Sequence, residues 1–330
     1  MAAIIYVEQA IRQHPRVRQA LKRLNPKQVI ECEHYGEIFN PKGQNFRQQK
    51  LQPALILAEK QGRKVLPTPE GFGIGGQQNY YFSHMLNCVY DCRYCFLQGM
   101  YPSAHWVWFV NYEAFIEELT QTIVQQTQPS YFFSGYDCDS LAFDSQTRFI
   151  DTFLPFFAQY PQALLELRTK STHIRSLLKH AALPNCVVAF SLTPAVIAEQ
   201  VEHKTPSVAK RIHAMQQLAH QGWQIGVRLD PLIYASNFTQ LYQQLIDEIM
   251  HAIPSQSIHS ISVGPLRFPT KMYQRLVDLY PQDRLLAHPL HKRDQVMSYQ
   301  AEREQQMVDW VQTYLRQYVD DQLIFQCTPW

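Results

Sequence analysis

From residue 79 onward the chain repeats one pattern, a short apolar run followed by a longer stretch whose apolar residues recur at helical spacing. Residues 80–83, 131–134, 164–168, 187–191, 224–229 and 258–263 read as strands. Residues 112–126, 147–159, 172–181, 207–221, 237–252 and 270–279 read as helices. In the fourth helix Val208, Ile212, Met215, Leu218 and Ala219 fall on one face. The run WVWFV at 106–110 adds a strand-like piece before the first helix. Strand–helix units in series predict an α/β domain whose parallel sheet curls as an incomplete barrel.

Residues 1–78 read as a separate α+β extension. The stretch 7–24 is basic and helical, interrupted by Pro15, while KQVIECEH and PALILA read as short strands. The pattern divides the chain into this extension, a barrel over 79–280 and a helical extension over 281–330, with a helix near 299–318 lying across the barrel. The run GFGIGG places Gly71, Gly73 and Gly76 in the dinucleotide pattern as a string. It precedes a strand instead of following one, so it reads as a flexible lead-in and not as a nucleotide fingerprint.

Composition narrows the class. A chain of 330 residues with 46% apolar and 12% aromatic residues folds around a substantial core. Thirty basic against 28 acidic residues leave a net charge of +2, so a nucleic-acid partner needs a local basic patch. The N-terminal stretch lacks a charged-then-apolar leader and no apolar run reaches membrane-spanning length, so a cytoplasmic protein without membrane contact is expected. Seven cysteines, an odd number, argue against a disulfide framework.

Three of those cysteines carry chemistry. Cys88, Cys92 and Cys95 stand in NCVYDCRYCFLQ at Cys-x3-Cys-x2-Cys spacing. Three thiolates on one short loop suit three irons of a 4Fe–4S cluster and leave the fourth iron open to a small molecule. The competing reading is a structural zinc site with His84 as a fourth ligand, but such sites are usually built from two separated pairs. Cys32, Cys138, Cys186 and Cys327 are scattered singly and read as small apolar residues. The cysteine spacing resembles that of the radical S-adenosylmethionine (radical SAM) enzymes, in which an aromatic residue, here Tyr94, usually precedes the last cysteine. In those enzymes S-adenosyl-L-methionine chelates the open iron, and one electron cleaves it to a 5′-deoxyadenosyl radical that abstracts hydrogen.

In a β/α barrel the loops after the strands form one surface. Here they carry the cysteine loop, then Ser134, Gly135, Tyr136, Asp137, Cys138 and Asp139, then Arg168, Thr169, Lys170 and Ser171. Ser191, Arg228, Asp230, Gly264 and Arg267 follow. Singly, such residues are more often caps or solvated loop positions; their joint appearance at successive strand ends points to a site.

Together CRYCFLQ, SGYDCDSLAFD, RTKS and AFSLTPAVIAEQVEHKTPSVAKRIHAMQQLAHQGW resemble the spore photoproduct lyase family of radical SAM DNA-repair lyases, from about residue 80 to 232 and more weakly onward through GPLRFPTK and MSYQAERE. The resemblance implies a partial (β/α)6 barrel, a 4Fe–4S cluster on Cys88, Cys92 and Cys95, S-adenosylmethionine, and a damaged thymine pair in DNA as substrate. It places Lys170 and Ser191 at the S-adenosylmethionine carboxylate and neighbouring groups, and the Ser134–Gly135–Cys138 loop near its amino group. An electron donor such as flavodoxin or ferredoxin is the expected partner.

Two positions depart from the family. Its hydrogen-returning cysteine aligns, counted back from Lys170, with Tyr136, and Cys138 lies two residues on. Its tyrosine after the last cluster cysteine, which relays that hydrogen, is Phe96 here, whereas Tyr94 matches the other tyrosine of the pair. Tyr136, Cys138 and Tyr94 are therefore the catalytic candidates. Radical chemistry on an RNA base or peptide, and a non-catalytic iron–sulfur nucleic-acid binder, are the alternative readings. Candidate phosphate contacts are Arg267, Lys271, Arg275, Arg293 and Arg303, together with Arg12, Arg16, Arg18, Lys22 and Arg23 of the first helix, although a solvated helix face is the usual role of such residues. Trp106 and Trp108 are candidate base-stacking residues, or core residues by strand alternation.

Overall fold

The central apolar runs become parallel strands buried on both faces, as parallel strands covered by helices are. In the computed structural model, which describes residues 3–69 and 71–327, the barrel strands are β1 (Gln78–Phe82), β2 (Ser130–Ser134), β3 (Ala163–Thr169), β4 (Cys186–Ser191), β5 (Gln224–Leu232) and β6 (Ile258–Pro265). They lie side by side in chain order, each parallel to the next. A short strand, β7 (Ile324–Gln326), adds in parallel beyond β6, and Val65–Pro67 adds antiparallel beyond β1. All six residues of β4 are buried. The expected curled α/β sheet is present, with every expected strand in place.

Helices cover its outer face. Phe238–Ala252 buries Phe238, Tyr242, Leu245, Ile246 and Ile249 at helical spacing. Val208–His220 starts at Ser207, whose hydroxyl accepts from the Lys210 N–H. Ala301–Leu315 packs across β6 and the helix Phe238–Ala252, and the phenols of Tyr314 and Tyr318 donate to Asp247.

Two expected helices differ. Over 172–181 only a 3₁₀ turn forms, Leu177–Lys179. There the Ser171 N–H donates to the Thr169 hydroxyl and the His173 N–H to the Ser171 hydroxyl, so short polar side chains compete with helical bonding. The expected helix at 147–159 is broken at Arg148, whose φ of +55° is left-handed, leaving Phe149–Phe157 on one side.

The extension forms a second sheet ordered Gln28–Cys32, Ile4–Glu8, Leu55–Ala58, Trp106–Phe109 and Met85–Leu86. WVWFV thus joins this sheet and not the barrel. The stretch expected as helix from residue 7 begins as strand Ile4–Glu8, because β-branched residues there pair with Leu55–Leu57. Its helix starts at Pro15, where the missing N–H costs nothing. Trp108 is fully buried and donates to the Tyr112 phenol, while Trp106 packs on Phe143 at 5.6 Å, so Trp108 is a core residue.

Inside the barrel Glu166 of β3 accepts from Arg228 of β5 at 2.8 Å and from Arg168 at 2.9 Å. Burial opposes ionisation of Glu166, but Arg228 and then Arg168 hold its pKa at about 2. Arg228→Met is expected to destabilise the protein by about 3 kcal/mol at neutral pH, because it leaves the buried Glu166 carboxylate with Arg168 as its one remaining cationic partner. The folded pKa lies below the ordinary 4.5, so this stabilisation is complete above that pH and fades as pH falls toward 2. Denaturant titrations of both proteins across that window should show their difference shrinking.

Candidate active site

The ends of the barrel strands deliver their polar residues to one cavity. Cys88, Cys92 and Cys95 line it from the loop after β1; Ser134, Gly135, Tyr136 and Cys138 from β2; and Lys170 and Ser191 from the ends of β3 and β4. Tyr94 lines it too.

The cysteine loop has little regular structure, and distant residues hold it. Asp91–Cys92 pairs antiparallel with Glu202–His203. The Lys50 ammonium donates to the carbonyls of Cys88 and Tyr90 at 3.3 and 3.0 Å. Gln98 donates to the Asp91 carboxylate and the Cys92 carbonyl. The Tyr94 phenol donates to Glu202, whose other oxygen pairs with the fully buried Arg211. Arg211 also donates to the Ser191 carbonyl at 3.1 Å, which ties the loop to the end of β4.

Burial raises the pKa of all three thiols, Cys88 to about 12. Such groups become thiolates only when a metal supplies the balancing positive charge. Burial works against the Lys170 ammonium, but Cys92 and Glu202 facing it keep its pKa above the ordinary value.

Whether these residues suit a cluster follows from how they are placed. The thiols share one cavity, yet among the described residues no three His, Cys, Asp or Glu side chains gather as ligands of a single metal ion. Thiols that each take a different iron need not meet at a point, whereas zinc ligands must. The donor set fits a cluster. His84 does not serve as a fourth ligand: it is buried, stacked on Phe149 at 4.2 Å, and desolvation lowers its pKa to about 3.

The loop after β2 turns at Gly135, with φ of +83°, where a Cβ would stand 2.5 Å from the Ser140 hydroxyl. Asp139 then accepts from the Thr169 hydroxyl at 2.6 Å and the Lys170 N–H at 2.7 Å, fixing the backbone of Lys170. Tyr136 stacks on Tyr81 at 4.4 Å and lies 5.5 Å from the ring of Phe96. Burial, then Tyr81 and Asp137, pushes the Tyr136 phenol up to about 12. Burial, then Cys88, raises the Cys138 thiol as well. Both therefore keep their hydrogen at neutral pH.

Arg267 closes the cavity from the far side, paired with Asp230 at 2.7 Å. Among the other basic candidates, Arg275 donates to the Gly99 carbonyl, Arg293 pairs with Glu304, and Arg303 lies over the Tyr234 ring at 4.0 Å. Lys271 is exposed, as is the strand His291–Arg293, which belongs to the same small sheet as Arg267–Pro269. The first-helix residues do not line the cavity: Arg16 pairs with Glu113, Arg12 with Glu31, and Arg18 donates to Gln13, while Lys22 and Arg23 are exposed.

Lys50, Glu202, Arg211 and Phe72 were not anticipated from the sequence. Lys50 and Glu202 carry no local signature, since each reaches the loop from far along the chain.

Comparison with known proteins gives one answer. The profile of the family described as spore photoproduct lyase matches residues 77–326. Spore photoproduct lyase of Bacillus subtilis is 21% identical over 295 residues, covering 86% of this chain and 83% of that protein. A solved structure of a substituted spore photoproduct lyase with bound AdoMet and dinucleoside spore photoproduct superposes with TM-score 0.83 at 17% identity, over 99% of this chain and 98% of that one. Another, complexed with dinucleoside spore photoproduct, gives TM-score 0.83 at 17% identity over the same shares.

Anaerobic reconstitution should load about four irons per chain with a broad blue-region absorbance. Cys92→Ala is expected to lose both and His84→Phe to keep both, read by iron analysis and the visible spectrum.

Proposed function

The chain belongs to the spore photoproduct lyase family, and on that premise we propose that it is a radical SAM lyase that reverts a methylene-bridged thymine pair in DNA. The observation that carries this reading is the meeting of the thiols of Cys88, Cys92 and Cys95, the Lys170 ammonium and two candidate hydrogen donors in a single cavity. Cys88, Cys92 and Cys95 are the proposed holders of a 4Fe–4S cluster. When bound, the cluster and S-adenosylmethionine would supply a carbon radical able to take hydrogen from the ring carbon beside the bridgehead, which puts the bridge bond β to the new radical centre, where it breaks.

The chain's own residues do the rest. The Lys170 ammonium, held on Asp139 through its backbone, offers a positive charge to the S-adenosylmethionine carboxylate. Ser191 and the Ser134–Cys138 loop offer short polar groups at the neighbouring strand ends, and Gly135 lets backbone approach the ligand. Tyr94, committed as a donor to Glu202, fixes the floor between two cluster cysteines. The Tyr136 O–H and the Cys138 S–H are the two hydrogens placed to quench the product radical.

The lesion must leave the base stack to reach this cavity. Arg267 at its rim, Lys271 and the exposed strand His291–Arg293 form the basic side suited to phosphates. A flavodoxin- or ferredoxin-type donor would supply the electron. We assign the work to three segments: 1–78 supports the cysteine loop, 79–280 holds the chemistry and carries Arg267 and Lys271 of the basic rim, and 281–330 adds the strand His291–Arg293 to that rim.

Reconstituted protein given reductant, S-adenosylmethionine and a dinucleotide carrying the lesion should release thymine. Formation of 5′-deoxyadenosine with no thymine recovered would overturn the lesion assignment while leaving the radical chemistry standing. Tyr136→Phe and Cys138→Ala, made separately, locate the donor: the variant lacking it should lose thymine yield roughly a hundredfold, the scale of losing a proton- or hydrogen-transferring group. Unchanged yield in both would remove the two as donors.

A further inference from the structure

The glycine-rich run 71–76 does not bind a nucleotide through its backbone; it places an aromatic ring. Gly71 and Gly75 adopt φ of +75° and +93°. A Cβ on Gly76 would stand 2.3 Å from the Tyr131 ring, and one on Gly75 would stand 3.0 Å from Phe325. Glycine is what lets this segment lie against β2 and β7. The Thr68 hydroxyl donates to the Phe72 carbonyl at 3.1 Å, anchoring the turn. The side chain of Phe72 reaches the cavity wall.

The surroundings of that ring are those of a base-stacking site. Phe133 and Tyr136 stand at 5.1 and 5.8 Å from it, at interplanar angles of 78° and 75°, so neither aromatic neighbour stacks on it in parallel. The Arg168 guanidinium lies 4.8 Å from the ring centroid, and its own partner is Glu166. Phe72 is only half-buried, which leaves ring surface to the cavity. A planar, electron-poor ring is the group such a wall recognises, since every base offers a π-face to an aromatic side chain. Tyr136, one of the two candidate hydrogen donors, is the neighbour at 5.8 Å.

We propose that Phe72 is a substrate-specificity residue on which one pyrimidine ring of the lesion stacks, beside the ring of Tyr136. This rests on the lesion-repair reading above and deepens it by naming the surface that holds the base. The test is steady-state kinetics and equilibrium binding of the lesion dinucleotide by the reconstituted wild type, Phe72→Ala, Phe72→Leu and Phe72→Trp. Phe72→Ala and Phe72→Leu should raise the lesion Kd and KM roughly tenfold or more, with a much smaller change in kcat, whereas Phe72→Trp should bind within about twofold of wild type. The leucine variant keeps apolar volume and lacks a π-face, so it separates stacking from packing. The cluster absorbance of each variant checks that the fold stands.

Wild-type affinity in both Phe72→Ala and Phe72→Leu would overturn the proposal, as would loss in Phe72→Ala with full retention in Phe72→Leu. A wild-type protein that turns over the lesion while the variants are unaffected overturns stacking alone. A wild type that neither binds nor converts the lesion overturns the repair reading and this inference together.

Discussion

Three thiols within eight residues of chain, Cys88 to Cys95, demand a loop that spends its backbone on side-chain placement and not on regular hydrogen bonding. Only Asp91–Cys92 is strand, and it borrows its partner from Glu202–His203. Whatever order the loop has must come from elsewhere. It comes from Lys50 on two carbonyls, Gln98 on Asp91, and Tyr94 on Glu202. The contacts of Lys50 and Glu202 join the loop to distant parts of the fold, and Gln98 ties it to the helical turn that follows it. The extension before residue 78 is therefore part of the site's scaffold, since Lys50 lies in it.

The same economy governs charge. Glu202 and Arg211 are both buried, and so are Glu166 and Arg228. Pairs of this kind stand or fall together, because removing one partner leaves an unpaired charge in low dielectric. Glu166 with its two arginines braces β3 against β5 below the cavity, and Asp230 with Arg267 braces the rim. The cavity lining combines cationic groups, Lys50, Arg168, Lys170 and Arg267, with the aromatic rings of Phe72, Phe96 and Tyr136. Thiols that burial keeps protonated complete it, so the chamber favours a ligand that brings positive metal charge to the thiols and negative charge to the lysine.

The central strands were legible because burial on both faces writes them as apolar runs, as in the CVVAF of β4. The helix expected at 172–181 failed where Thr169 and Ser171 bond neighbouring N–H groups, a competition that periodicity does not register. At the start of the chain only Val7 and Glu8 of a helical-looking run gave way to strand pairing, a contact made far along the chain with Leu57, while the helix stands over Pro15–Leu24. WVWFV was recognisable as a strand, but its sheet was not. Cysteine spacing and strand-end polarity likewise marked the site, while the glycine run showed only what it was not.

Local order was thus sufficient to name residues that meet in the cavity: three cysteines at fixed spacing, and serine, lysine and tyrosine where strands end. Spacing along a chain sets which atoms a short loop presents, so it survives without a tertiary structure. What only the folded protein decided is who supports them. Lys50 and Glu202 bond groups 38 and 108 residues away, Arg211 reaches the loop through Glu202, and Phe72 stands beside the ring of Tyr136. Contacts of that kind depend on how the sheet curls and how the two sheets exchange strands. No periodicity encodes them, because a buried pair is chosen by proximity in space and not by position in sequence.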